Sequence, residues 1–167
     1  MNAIFKRTSV RKFTDKPLTK RQIEKLMQAA MAAPSAGNQQ PWEFYLVENP
    51  EVREKLSKAS MFSRPAANAP LVIVPCIRVG RLRFPECADQ DMSACIENIL
   101  LEAADAGLGA VWMSISPDPE RMAVVSNALG LTEHVRPFAL IAVGRPADEV
   151  EPKGAERYDE SRIHVVK

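Results

Sequence analysis

Hydrophobic residues recur along this chain with two different periods, and the period changes at proline, glycine and asparagine. From 19 to 33, Ile23, Leu26, Met27 and Ala30 fall at helical intervals. Thr19 and Gln22 have the spacing of a capping box, and Pro34 closes the segment, so the pattern predicts a helix over 19–33. EFYLVE, residues 43 to 48, alternates with period two and is rich in aromatic and β-branched residues, which predicts a strand. Asn49 and Pro50 then have the character of an N-cap and a first helical position, with Val52, Leu56 and Ala59 on one face. Residues 61–69 read as a short irregular link. PLVIVPCI, 70 to 77, is continuously apolar, as a strand buried on both faces would be.

RVGRLRFPECA, 78 to 88, is basic and loop-like. A long helix follows from Asp89 to Ala106, with Met92, Ile96, Ile99, Leu100 and Ala103 as its stripe and Gly107 as its stop. AVWMSI, 110 to 115, predicts the next strand. Asp118 and Pro119 open a helix that ends at Gly130, with Met122, Val125 and Leu129 facing inward. RPFALIAVG, 136 to 144, predicts the last core strand. The remainder, 145–167, is charged and apolar only at IHVV near its end. That tail fits an arm laid along another sheet edge or a frayed terminus. Strands and helices interleave without internal repeats, so the pattern predicts one α/β or α+β domain over 1–167, with 145–167 as a C-terminal arm.

Composition narrows the function classes. A hydrophobic share of 46% over 167 residues supports a packed core and excludes disorder of the whole chain. A net charge of +1 provides no global field for nucleic acid or a membrane surface, so neither partner is expected. No window is apolar enough to span a bilayer, and MNAIFKRTSVRKF has no apolar run of signal-peptide length. Cys76, Cys87 and Cys95 are odd in number and lack metal spacing, which fits free thiols in the cytoplasm. Cys95, on an apolar helix face, is expected in the core.

The usual catalytic signatures are missing. His134 and His164 have no partner at metal-ligand spacing, so no metal is expected. There is no G-x-S-x-G, no G-x-G-x-x-G and no P-loop. GLGA, 107 to 110, reads as a helix cap and tight turn. Two polar clusters remain. In RTSVRKF, 7 to 13, Arg7, Ser9 and Arg11 alternate and share one side of an extended segment. They suit a phosphate, or form a solvated basic terminus. In APSAGNQQPWEF, 33 to 44, Asn38, Gln39 and Gln40 each donate and accept, which suits the edge of a heterocycle. Loop capping is the plainer use for such residues. Strand-end GRP, 144 to 146, and Arg157 add cations where ligands often bind. Together these features point to a phosphorylated heterocyclic cofactor without identifying it.

RTSVRKF, APSAGNQQPWEF, ENILLEAADAGLGAVWMSI and AVGRP, in this order and spacing, resemble the nitroreductase superfamily of FMN-dependent oxidoreductases over nearly the whole chain. The resemblance implies an α+β fold with a mixed central sheet flanked by helices. It also implies a homodimer that binds FMN at the subunit interface and exchanges C-terminal arms. By position, Arg7, Thr8, Ser9 and Arg11 would hold the FMN phosphate, ribityl chain and pyrimidine edge. Pro34, Ser35, Ala36, Asn38 and Gln40 would come from the other subunit. The 110–114 strand end would approach the ring, and Gly144, Arg145 and Arg157 would complete the phosphate end. Trp42 would anchor the loop by packing.

The implied activity is hydride transfer from NADH or NADPH through flavin N5 to a nitroaromatic, quinone or similar acceptor, with ping-pong kinetics. Arg11 would stabilise the reduced flavin, and no side-chain acid or base is obligatory. Other flavin reactions on the same fold, such as dehalogenation or dehydrogenation, and a non-catalytic FMN-binding protein are the alternatives. The short connections at 61–69 and 78–88 leave no room for a lid domain. Arg78, Arg81 and Arg83 there face either an anionic ligand or solvent.

Overall fold

The computed structural model describes residues 2–152 and 157–167; positions 153–156 of the expected arm lie outside the described residues. Four of the helices begin where the sequence offers a capping side chain. Helix α1 (Ala3–Lys6) is one turn, capped by the Asn2 side chain. Helix α2 (Lys20–Met31) opens on the Thr19–Gln22 capping box: the Gln22 N–H donates to Thr19 Oγ1 at 3.2 Å, and the Thr19 N–H donates to Gln22 Oε1 at 2.9 Å. Asn49 caps α3 (Pro50–Leu56), and Asp118 caps α6 (Pro119–Leu129); in each the side-chain oxygen accepts two first-turn N–H groups. Gly130 closes α6 in the left-handed conformation. The long α5 (Ala88–Asp105) buries Met92, Cys95, Ile96, Ile99 and Ala103.

The strands are β1 (Trp42–Val47), β2 (Leu71–Arg78), β3 (Gly109–Ser114), β4 (Val135–Pro137) and β5 (Ala139–Gly144). Their order is β1-β2-β5-β3, with β4 pairing β2 beside β5. Strand β2 is buried along its length and sorts its side chains by parity. Leu71, Ile73 and Ile77 join the core under α2 and α5, while Val72, Val74 and Cys76 join the core under α3 and α6. Trp42 is buried in the α2–α5 core, as a packing anchor should be. The two thiols of this double core are inert: burial pushes Cys95 up to about 12, and burial with the nearby Glu43 charge pushes Cys76 up to about 12.

The α+β class stands, but three expectations need correction. The sheet is antiparallel in all four ladders among the described residues, not mixed, because β5 runs opposite to both β2 and β3. Its parallel component is a single bridge from Ser9 to Ala110. The expected strand over 136–144 is two strands. Cys76 faces Pro137 while Ile73 faces Ile141, so one extra residue is accommodated around Phe138. Pro75 and Pro137 both lack an N–H here, and the Phe138 N–H donates to the Pro75 carbonyl at 3.0 Å. Finally, the link at 61–69 contains helix α4 (Pro65–Asn68), with Pro65 at its first position.

Candidate functional site

The N-terminal segment runs against the strand β3 that precedes the αβ crossing. The Val10 N–H donates to the Ala110 carbonyl at 3.0 Å, and Thr14 and Lys12 bond the backbone of Arg145 and Ala147. Val10 and Phe13 are buried and Arg11 is exposed. The side chains that cover the sheet are thus three residues apart, at Val10 and Phe13, and not at every second position. The register also fixes Gly144: a Cβ there would come within 2.7 Å of Pro70 Cδ and 3.0 Å of Phe13 Cδ1, so only glycine lets the segment lie this close.

Arg11 thereby reaches an open groove of about 570 Å³, within the roughly 300–1,000 Å³ range of small-molecule sites. Backbone and side chains of Val111–Ser114 form its floor. Met61, Phe62, Arg64 and Asn68 form a wall. Met61 is 74% exposed and Phe62 67%, so the groove offers a large apolar surface. That wall is held in shape by serines: Ser60 and Ser63 hydroxyls meet at 2.8 Å, and the Phe62 N–H donates to Ser60 Oγ. Arg121 also lines the groove, but it is paired with Asp118 at 3.1 Å. Arg11 makes one hydrogen bond among the described residues, to its neighbour Ser9's carbonyl at 3.3 Å. Its charge is left facing the groove. Trp112 contributes an indole Nε1 that is buried without a partner.

The expected phosphate group is only partly assembled. Arg7 lies 3.5 Å from Glu97 on α5. Thr8 lines a separate cleft with Val10, Leu108 and Pro146. Ser9 is exposed next to its bridge with Ala110. Arg145 carries a buried Nε with no partner, and Arg157 is exposed on the arm.

The amide-rich loop does not line the groove of its own chain. Pro34, Asn38 and Gln40 are exposed, while Ser35 and Ala36 are half-buried. Gly37, Asn38 and Gln40 all have positive φ, at 53°, 54° and 47°. Ser35 Oγ accepts from the Gln40 N–H at 3.0 Å, and Gln40 Nε2 donates to Asn38 Oδ1 at 3.0 Å. Arg78, one of the three basic-loop arginines, donates to the Gln40 carbonyl at 3.3 Å and so fastens this loop.

Sequence reasoning missed four contributors. Asn68, Phe62 and Arg64 fell in a stretch read as a featureless link; the Asn-Ala-Pro entry to β2 was the available signal. Asp91, next to Met92 on α5, is 6% exposed and accepts from the loop. An acid inside an apolar stripe was its signal. Among the described residues there is no group of three metal-binding side chains, and no helix is long and apolar enough to cross a membrane.

Known proteins share this arrangement. A protein of Archaeoglobus fulgidus with the provisional name NADH dehydrogenase/NAD(P)H nitroreductase is 39% identical, over 98% of this chain and 95% of its own. A crystal structure from Clostridium acetobutylicum, provisionally described as an NADH oxidase, is 43% identical and superposes with a TM-score of 0.95 over 99% of both chains. A provisionally named nitroreductase of Desulfovibrio desulfuricans, crystallised with FMN, is 25% identical with a TM-score of 0.78, covering 92% of this chain and 91% of that one. The profile of the nitroreductase family matches residues 4–76 and 62–145. With that match over most of its length and a relative 39% identical along nearly all of it, this chain belongs to the nitroreductase family.

Proposed function

We propose that this chain is an FMN-dependent NAD(P)H oxidoreductase, one domain over 1–167, acting as a homodimer in the cytoplasm. The observation that carries the reading is the groove in which the unpaired Arg11 guanidinium lies beside the Val111–Ser114 strand end. Its residues suit the cofactor. Arg145 and Trp112 offer buried donors that lack acceptors. Arg7, Thr8, Ser9, Gly144, Arg145 and Arg157 would hold the phosphate and ribityl end. Asn68 would add an amide at the Arg11 end. Pro34, Ser35, Ala36, Asn38 and Gln40 would be supplied by the other subunit.

Bound FMN would supply two-electron chemistry between NADH or NADPH and an acceptor. The chain's own part is orientation and electrostatics. Arg11 would place a cation where negative charge would develop on the reduced cofactor. Met61 and Phe62 give a flat acceptor, a nitroaromatic or quinone, an apolar surface to lie on. The groove is open, so donor and acceptor can use it in turn, and ping-pong kinetics are expected. No acid or base is required of the protein; Cys76 and Cys95, held neutral in the core, take no part.

The dimer reading rests on apolar exposure. Ile163, Val165 and Val166 are 55%, 76% and 95% exposed. Leu18, Ile23, Met27, Met31 and Leu46 line an apolar groove of about 580 Å³ beside the edge strand β1. An arm crossing to the partner would cover such a surface and complete the edge. The function is tested by the visible spectrum of the purified protein, before and after anaerobic NADH or NADPH. A flavin spectrum that bleaches is expected. A flavin that never bleaches removes the oxidoreductase reading, and failure to take up added FMN removes the cofactor.

A further inference from the structure

One amide of the loop differs from its neighbours. Asn38 and Gln40 are exposed, but Gln39 is half-buried and turned inward. Its side chain holds the Phe84 peptide unit from both ends: the Phe84 N–H donates to Gln39 Oε1 at 2.9 Å, and Gln39 Nε2 donates to the Phe84 carbonyl at 3.0 Å. The same Nε2 donates to Asp91 Oδ2 at 2.7 Å, and Asp91 Oδ1 accepts from the Ala36 N–H at 2.9 Å. The Phe84 ring then lies directly on Gly37, where a Cβ would be 2.5 Å from Phe84 Cε2. Two segments distant in sequence are thus tied together, with α5 as the fixed post.

The chemistry of this tie is directional. The Phe84 N–H requires oxygen on its side of Gln39, so the amide nitrogen must face Asp91. Residue 91 must therefore accept at both oxygens, which a carboxylate does and an amide does not. Asp91 is buried, and among the described residues no cation pairs with it; its position in the first turns of α5 supplies favourable dipole instead. The loop it holds contains three positive-φ residues within four positions, two of them non-glycine. Backbone held in this way persists only where surrounding contacts over-determine it, and such places concentrate at ligand sites.

We propose that Asp91 and Gln39 are positioning residues: they fix the strained 35–40 loop in its cofactor-reading conformation and lock it to the 82–87 segment, so that the two move as one unit. This rests on the FMN reading above and goes beyond it, since neither residue touches the groove. The 82–87 segment carries Arg83, whose guanidinium lies 5.2 Å from the Phe84 ring centroid. Whatever Arg83 meets is thereby placed relative to the loop.

The test uses the full chain and four proteins: wild type, Asp91→Asn, Gln39→Glu, and the double variant. FMN affinity is read by quenching of free-FMN fluorescence, and amide hydrogen exchange is followed in 34–40 and 82–87. Asp91→Asn sets two donors against each other and should weaken FMN about 10-fold. Gln39→Glu sets two carboxylates together and should do worse. The double variant restores the 39–91 contact with reversed polarity, since the new amide donates to the new carboxylate, but leaves the Phe84 carbonyl without its donor, so it should recover part of the affinity lost in Gln39→Glu. Exchange in Asp91→Asn should rise in both segments together. Unchanged FMN affinity in Asp91→Asn, exchange confined to 34–40, or a double variant no better than Gln39→Glu would each overturn the proposal. A wild-type chain that takes up no FMN overturns the functional reading itself and this role with it.

Discussion

Gly37 and Gly130 form a matched pair for an alanine experiment. Both have left-handed backbone, with φ of 53° and 64°. An L-residue in that region costs about 1–2 kcal/mol. Reduced freedom of the unfolded chain returns about 0.4–1 kcal/mol to each variant. They differ in surroundings: a Cβ at Gly130 meets nothing within 4 Å, whereas one at Gly37 strikes Phe84. Relieving that clash requires Phe84 to move, which breaks the two hydrogen bonds Gln39 makes to its peptide unit. At about 0.5–1.5 kcal/mol each, their loss makes Gly37→Ala roughly 1–3 kcal/mol worse than Gly130→Ala. Urea denaturation of both variants measures the difference directly as a shift in midpoint at constant m. Adding Phe84→Ala to Gly37→Ala should narrow the gap, since the clash is then gone. Equal destabilisation by the two glycine substitutions would refute the claim that Phe84 packs tightly against the loop.

Other expectations concern the groove, the arm and the thiols. Arg11→Ala should lower the rate of flavin reduction by NAD(P)H about 100-fold, read by anaerobic stopped flow; an unaltered rate would remove Arg11 from the reactive step. Arg7→Ala and Arg145→Ala should each reduce FMN occupancy of the purified protein, and full occupancy would count against their phosphate role. Truncation before Ile163 should weaken dimerisation by light scattering, whereas an intact dimer would rule out the exchanged arm. At pH 8 a thiol reagent should modify Cys87 alone in the folded protein, because Cys76 and Cys95 are buried. Their folded pKa values are raised from 9.0 to about 12, so the stability they contribute is complete below pH 9 and is lost as pH rises from about 9 to 12. Early reaction of all three thiols would contradict the buried placement.

The period of the hydrophobic pattern was enough to locate α2, α3, α5 and α6 and the strands β1, β2 and β3, because each buries one face or both against a neighbour, and burial leaves its mark residue by residue. Thr19, Asn49 and Asp118 marked helix starts for the same reason: a capping bond is local. What the chain could not show in one dimension was which distant groups meet. Asp91 accepts from Ala36 and Gln39, 55 and 52 residues away. The stretch holding Met61, Phe62 and Asn68 looked like a link, yet lines the groove together with Arg11. Strand direction and the break at Phe138 were likewise decided by pairing partners, Cys76 opposite Pro137 among them. Local free energies are written in neighbouring residues; a site is written in register and packing, and only the tertiary structure sets those.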